Sequence, residues 1–246
     1  MGKRMIMGLT GLYCAGKNYA SLLLEKRGIP VLDADKLGHE VIRRETEKIA
    51  LRFGKEILDT EGFIDRKRLG KLTFGNPAEL AALEAIIHPA VNSLTEEWLE
   101  RQELQFRTDH GTGESFLCVI NAALLHKSSF YNRLKAIITV SAPGFVRLYR
   151  AVKRDKLPLG ELYRRFRSQK EFPRYKTGKN GPQLFSSTAD IYTIQNSGFP
   201  GSLRSLERQI DAILEGINYG KEKIVDGRSI GGGVSGYRSK RRDTGF

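Results

Sequence analysis

Seven residues near the start of the chain, Gly11-Leu12-Tyr13-Cys14-Ala15-Gly16-Lys17, have the spacing G-x-x-x-x-G-K of a loop that cradles phosphate. In such a loop successive backbone N–H groups converge on phosphate oxygens, and the helix that follows adds its positive end. Lys17 would then bridge the outer phosphates, with Gly11, Cys14, Ala15, Gly16, Asn18 and Tyr19 completing the nucleotide-binding set. The position after the lysine ordinarily carries a hydroxyl that ligates Mg²⁺, and here it is Asn18. An amide carbonyl is also a neutral oxygen acceptor, one atom further out, so Asn18 is expected to ligate the metal after a small shift or to hold a metal-bound water. A glycine-containing turn without a ligand is the plainer reading of the same residues.

The second group is Asp33-Ala34-Asp35. Alternation along an extended chain aims the two carboxylates to one side. At the carboxyl edge of an open sheet, that side faces a ligand crevice. A carboxylate there holds Mg²⁺ or accepts the proton of an attacking hydroxyl, the chemistry of phosphoryl transfer. Aspartate also caps helices, and the expectation is that Asp35 does so while Asp33 is catalytic and metal-binding. A third group, Arg154, Arg164, Arg165 and Arg167, crowds one basic segment, and the rigid fork of guanidinium donors suits phosphate. Helical spacing cannot aim all four at one ligand, so some are solvated surface. Cys14 sits close to a helix N-terminus that would lower its thiol pKa; otherwise it is a small residue that fits the loop.

The elements that must position these residues read as strands alternating with helices. Residues 4–10 are an apolar run before the loop, 17–26 are helix formers stopped by Gly28 and Pro30, and 29–32 form a second strand. Residues 35–107 read as mostly helical with breaks at Gly54, 59–62 and 75–77, and Pro89 marks a helix start or a kink. After a polar loop at 108–114 come strands at 116–120 and 136–140, apolar throughout as buried parallel strands are. A basic helical segment follows at 145–170, broken near Pro158, then a Pro/Gly/Lys/Ser-rich loop at 171–187, a strand at 191–194 and a helix at 203–217. The expected architecture is α/β, a parallel sheet with helices on both faces. Its core is 1–35, 108–152 and 189–218, with an inserted helical unit at 36–107, a lid at 153–188 and a disordered basic tail at 219–246.

The 246 residues carry a formal charge of +13 and are 40% hydrophobic, enough for a real core. The tail holds seven Lys and Arg against three acids, so +9 remains on the body, which attracts polyanions such as nucleotides, phosphorylated substrates or nucleic acid. No stretch approaches the ~20 apolar residues of a membrane helix, and no signal peptide is visible at the N-terminus. Two cysteines form neither a disulfide framework nor a metal spacing, and a cytoplasmic protein is expected. Tyr163, Phe166, Phe172 and Tyr175 interleave with the lid arginines, as in a nucleic-acid binder, but no reading motif accompanies them. A kinase acting on another small hydroxyl substrate is the third reading.

The ordered set of motifs resembles the dephospho-coenzyme A kinase family. It comprises MGLTG at 7–11, VLDADKLGHEV at 31–41, FGKEILDTEGFIDRKRLGKLTF at 53–74, LEAIIHP at 83–89 and ADIYTIQNSG at 189–198. The resemblance implies a P-loop kinase-like three-layer fold with a parallel-sheet core that binds ATP, an inserted helical substrate domain and a basic lid. It implies ATP-dependent phosphorylation, with Mg²⁺, of the ribose 3′-hydroxyl of dephospho-CoA, the final step of coenzyme A synthesis. By position it makes Asp33 the base and metal partner, Arg66 and His88 substrate contacts, Asn196 an adenine contact, and Arg147 and Arg154 part of the segment leading to the lid. The chain departs from the family at Asn18 and at 119–126, where D-x-P-L-L-x-E is replaced by a stretch without acids that retains Asn121 and His126. Its loop at 171–187 is also longer than usual.

Overall fold

A computed structural model describes residues 3–111, 113–125, 128–155, 157–168, 189–199 and 201–217. The expected loop at 171–187, the tail at 219–246, His126 and the side chain of Arg167 lie outside the described residues.

Five parallel strands form the sheet, in the order β2-β3-β1-β4-β5: β1 (Arg4–Gly11), β2 (Val31–Asp33), β3 (Phe116–Asn121), β4 (Ala136–Ser141) and β5 (Asp190–Gln195). β1 is central because it can be covered on both sides: from Ile6 to Gly11 every residue is buried, and all of β3 is buried too. Alternate residues feed opposite faces. Met7, Leu9, Val119 and Ile138 pack with Leu23 and Leu24 of α1 (Lys17–Glu25) and Leu206 and Ile210 of α8 (Ser202–Gly216). Ile6, Cys118, Ile120 and Ile137 pack with Leu99 of α5 (Pro77–His110) and with Phe130 and Leu134.

Between β2 and β3 lie α2 (Ala34–Arg44), α3 (Thr46–Phe53), α4 (Arg66–Thr73) and α5. Their own apolar cluster is Ile49, Phe53, Ile57, Ile64, Leu69 and Leu83. Asp65 starts α4 by accepting hydrogen bonds from the amides of Lys67 and Arg68, a capping arrangement. The helix α5 continues through Pro89, so no helix starts there, and it takes in residues 108–110 of the expected loop. Proline inside a helix costs about 3 kcal/mol. That cost is met because α5 is anchored at both ends, by Leu83 in the helical cluster and by Leu99 and Phe106 against the sheet. After β4, α6 (Gly144–Asp155) and α7 (Leu159–Ser168) form a hairpin interrupted at Pro158, as the sequence suggested.

Leu9 is fully buried at the centre of the sheet, whereas Leu51 is 90% exposed. Leu9→Ala is expected to lower unfolding stability by about 2–5 kcal/mol. Leu51→Ala should stay within about 0.5 kcal/mol. Urea midpoints of the two variants would check this.

Candidate active site

The phosphate loop closes at the carboxyl end of β1. Ala15 N donates to Leu12 O at 2.9 Å, and α1 starts with Tyr19 N and Ala20 N donating to Gly16 O at 3.0 and 3.1 Å. Gly16 stands at φ 104°, and a Cβ there would come within 2.2 Å of Asn196 Nδ2, so both conformation and space exclude a side chain. Asn196, buried at the end of β5, donates from Nδ2 to Ala15 O at 3.0 Å. Its Oδ1 accepts from Arg150 Nη2 at 3.0 Å, and Arg150 Nη1 donates to Ala15 O and Cys14 O at 3.2 and 3.4 Å. The side chains of Asn196 and Arg150 therefore grip the loop's outward carbonyls. Cys14 is the one non-glycine residue with positive φ, 59°, among the described residues. Burial pushes its thiol pKa up, against the opposing pull of Arg154, Arg150, Arg147 and Arg165. This is opposite to the lowering expected from the helix terminus, because the loop wraps the thiol away from water.

One cavity opens over this loop and a second meets the first at Asp35. The first, about 600 Å³, is lined by Gly11, Tyr13, Cys14, Gly16, Lys17, Asn18, Tyr149, Arg150, Lys153 and Arg154, and by Asp35. The second, about 470 Å³, is lined by His39, Glu84, His88, Asn92 and Ser129, and again by Asp35. Lys17 Nζ lies 2.7 Å from Asp35 Oδ2, and both carboxylate oxygens of Asp35 are 3.2 Å from the amide of Ala123. The capping expected of Asp35 falls to Asp33 instead. β2 ends at Asp33, so Asp33 is the cap of α2 and accepts from Lys36 N at 3.1 Å. Asp35 falls in the first turn, 46% exposed, where the cavities meet.

The remaining predicted residues distribute around this junction. His88 lines the second cavity from α5. Arg66 reaches it through His39, with Nη2 2.7 Å from His39 Nε2. Burial, then the Arg66 charge, lowers the His39 pKa, so the neutral ring can accept at Nε2. Arg154 lines the first cavity but is held by Asp155, Nε to Oδ1 at 2.6 Å and Nη2 to Oδ2 at 3.1 Å. Arg147 is desolvated over the Phe166 ring, 5.0 Å from its centroid. Tyr19 begins the packing of α1 on the core. Asn121 is buried and turned toward α1, with Nδ2 3.4 Å from Ser21 Oγ. Sequence reasoning missed Arg150, Tyr149 and the Ala123 amide. Arg150 precedes Arg154 by one helical turn on the same face of α6, a signal that was available.

Asn18 and Asp35 offer the oxygen donors that Mg²⁺ accepts. Among the described residues no group of three His, Cys, Asp or Glu forms a metal cage. Mg²⁺ beside nucleotide phosphates needs only one or two protein oxygens and retains water, so this donor set fits it.

Gly16→Ala is expected to weaken nucleotide binding by at least tenfold, about 1.4 kcal/mol, since Asn196 must leave Ala15 to admit the methyl group; calorimetric titration with ATP would measure it. His39 gives a pH prediction. Its folded pKa is depressed below the ordinary 6.5, so the stability it contributes is present above 6.5 and is lost as pH falls through the folded value. The wild type should therefore lose more stability than His39→Gln between about pH 7 and pH 5, as read from urea midpoints.

Residues 5–176 match the family model of dephospho-CoA kinase. A dephospho-CoA kinase of Treponema denticola is 31% identical, with 81% of this chain and 86% of that protein aligned. One of Bacillus licheniformis is 30% identical over 86% of this chain and 96% of that one. A solved Thermus thermophilus structure, 30% identical, superposes with a TM-score of 0.67 over 87% of this chain and 98% of its own. The match covers the phosphate loop, both aspartates, the helical insertion and the basic hairpin, and the chain belongs to the dephospho-CoA kinase family.

Proposed function

We propose that ATP occupies the first cavity, that dephospho-CoA presents its ribose 3′-hydroxyl from the second, and that Asp35 stands between them. The reaction is the ATP-dependent phosphorylation of dephospho-CoA in coenzyme A biosynthesis. The observation that carries the assignment of residues is that Asp35 lines both cavities while paired with the phosphate-loop lysine at 2.7 Å. Volumes of about 600 and 470 Å³ lie in the range of small-molecule sites.

Phosphoryl transfer asks a protein mainly for positioning and for charge stabilisation. The loop from Gly11 to Asn18 supplies backbone N–H donors, and Lys17 exchanges its carboxylate partner for the outer phosphates. That exchange frees Asp35 to accept the proton of the attacking hydroxyl. Asp33 fixes the start of α2, and through it the position of Asp35. Arg66, His39 and His88 face the acceptor, whose phosphates suit guanidinium and imidazole donors. Arg154 meets the charge that spreads over the transferring group. Asn196 acts through the loop backbone, which it holds by the Ala15 carbonyl. Mg²⁺, held by Asn18 and Asp35 and by the phosphates, would neutralise phosphate charge. We further propose a cytoplasmic location, which suits two free thiols, Cys14 and Cys118. Among the described residues no helix is long and apolar enough to cross a membrane.

The test is ADP release by the purified protein with ATP, Mg²⁺ and dephospho-CoA. Lys17→Ala should abolish turnover. Asp35→Asn should lower kcat by about 10²–10⁴-fold while ATP still binds, and Asp33→Asn should cost far less. A larger loss in Asp33→Asn would return the base to Asp33. Faster turnover of another hydroxyl acceptor would overturn the substrate assignment.

A further inference from the structure

Phosphate binding by a loop of this kind uses its backbone and its lysine, and asks nothing of the side chain at Tyr13. Yet Tyr13 makes the most elaborate side-chain contacts of the loop. Its hydroxyl is hydrogen-bonded to Asp155 Oδ2, which ends α6, 142 positions away in sequence. The Asp155 side chain is only 15% exposed. It takes Arg154 in the two-pronged pair already described and lies 3.8 Å from Arg165 Nη1 of α7. The Tyr13 ring completes the group. The guanidiniums of Arg154 and Arg165 lie 5.2 and 5.9 Å from its centroid, within cation–π range. Phe166 meets the ring edge-on at 5.6 Å. One residue of the phosphate loop thus fastens both helices of the basic hairpin.

The consequence falls on Arg154. Its guanidinium presents donors on more than one edge. Asp155 engages the edge formed by Nε and Nη2, while Nη1 stays outside that pair. The Arg154 side chain is 57% exposed and sits on a long flexible stem, so without the clamp it would sample many rotamers. Donors add most to catalysis when their positions are fixed before the charge develops.

We propose that Tyr13 and Asp155 are positioning residues for phosphoryl transfer: together they set the Arg154 guanidinium against the phosphate loop, leaving its remaining donors for the transferring group. This rests on the first cavity being the ATP site. The pair also ties the hairpin to the loop, so the arginine is placed relative to the phosphates and not merely to its own helix. Arg165, on the same ring and the same carboxylate, braces the arrangement from α7.

The test is a double-mutant cycle in steady-state kinetics, with ATP binding followed separately by calorimetry. Asp155→Asn is expected to lower kcat by about 10- to 100-fold, with the KM for ATP changed less than about threefold. Tyr13→Phe keeps the ring and removes only the hydroxyl, so its loss should be in the same direction and smaller; it also serves if Asp155→Asn fails to fold. Both losses should vanish when the variants are made in an Arg154→Ala background, because the two residues act through that guanidinium. Equal losses in both backgrounds would reduce the contact to a structural one and overturn the proposal. Tighter ATP binding with kcat unchanged or raised in Asp155→Asn would overturn it too, because the carboxylate would then be withholding the arginine. Failure of the underlying reading is separate: Lys17→Ala would retain full turnover and ATP affinity.

Discussion

The ion pair between Lys17 and Asp35 is the constraint around which this molecule is arranged. The two residues belong to helices that follow β1 and β2, and β3 lies between those strands. They meet only because both helices begin at the carboxyl edge of a parallel sheet, where β2 ends with Asp33 opposite Asn121 of β3. From that meeting point one cavity opens over the phosphate loop and the other opens toward the helical insertion. The pair also solves an electrostatic problem. Before nucleotide is present, a lysine only 13% exposed would otherwise face the loop without a counter-charge. In the proposed reaction the outer phosphates of the nucleotide take over from Asp35 as that counter-charge.

The second organising feature is the use of arginines as structural members. Arg150 and Asn196 turn the carbonyls of Cys14 and Ala15 outward, so the tight turn at Gly16 is held from behind by side chains of α6 and β5. Arg154 and Arg165 gather on Tyr13 and Asp155. Much of the body's positive charge is therefore spent near one polyanion site. Such a concentration of positive charge suits a polyanion such as a nucleotide. Arg154 and Arg165, with Arg150 and Arg147, oppose without overcoming the burial that raises the Cys14 thiol pKa.

The departures from the family pattern acquire separate meanings in three dimensions. Asn18 lines the first cavity, so an amide stands in place of a hydroxyl where the nucleotide and its cation are proposed to bind. Asn121 is buried and directed to Ser21 of α1, so the missing acid there is replaced by a packing interaction beneath the site. The backbone after Asn121 still contributes, since the Ala123 amide holds Asp35. What the stretch lost in side-chain acidity it retained in main-chain geometry.

Local chemistry made much of this legible. The G-x-x-x-x-G-K spacing fixed the loop between a strand and a helix, apolar runs fixed the five strands, and glycine and proline marked most helix boundaries. These are short-range effects, and sequence carries them directly. No helix starts at Pro89, because its local cost is outweighed by packing on both sides of it along α5, through Leu83 in one cluster and Leu99 and Phe106 in another, which residue spacing alone does not show. Capping went to Asp33 and not to Asp35 for a similar reason: a single residue separates the two carboxylates, and only the end of β2 decides which one caps and which one falls in the first turn. The strand order was also beyond the sequence, and with it the approach of Arg150, Asn196 and Asp155 to a loop some 140 to 180 residues earlier. The sequence by itself determined which residues could bind phosphate. The tertiary structure decided which carboxylate meets the lysine and which arginines are held against the loop, because those meetings depend on long-range packing that residue spacing does not encode.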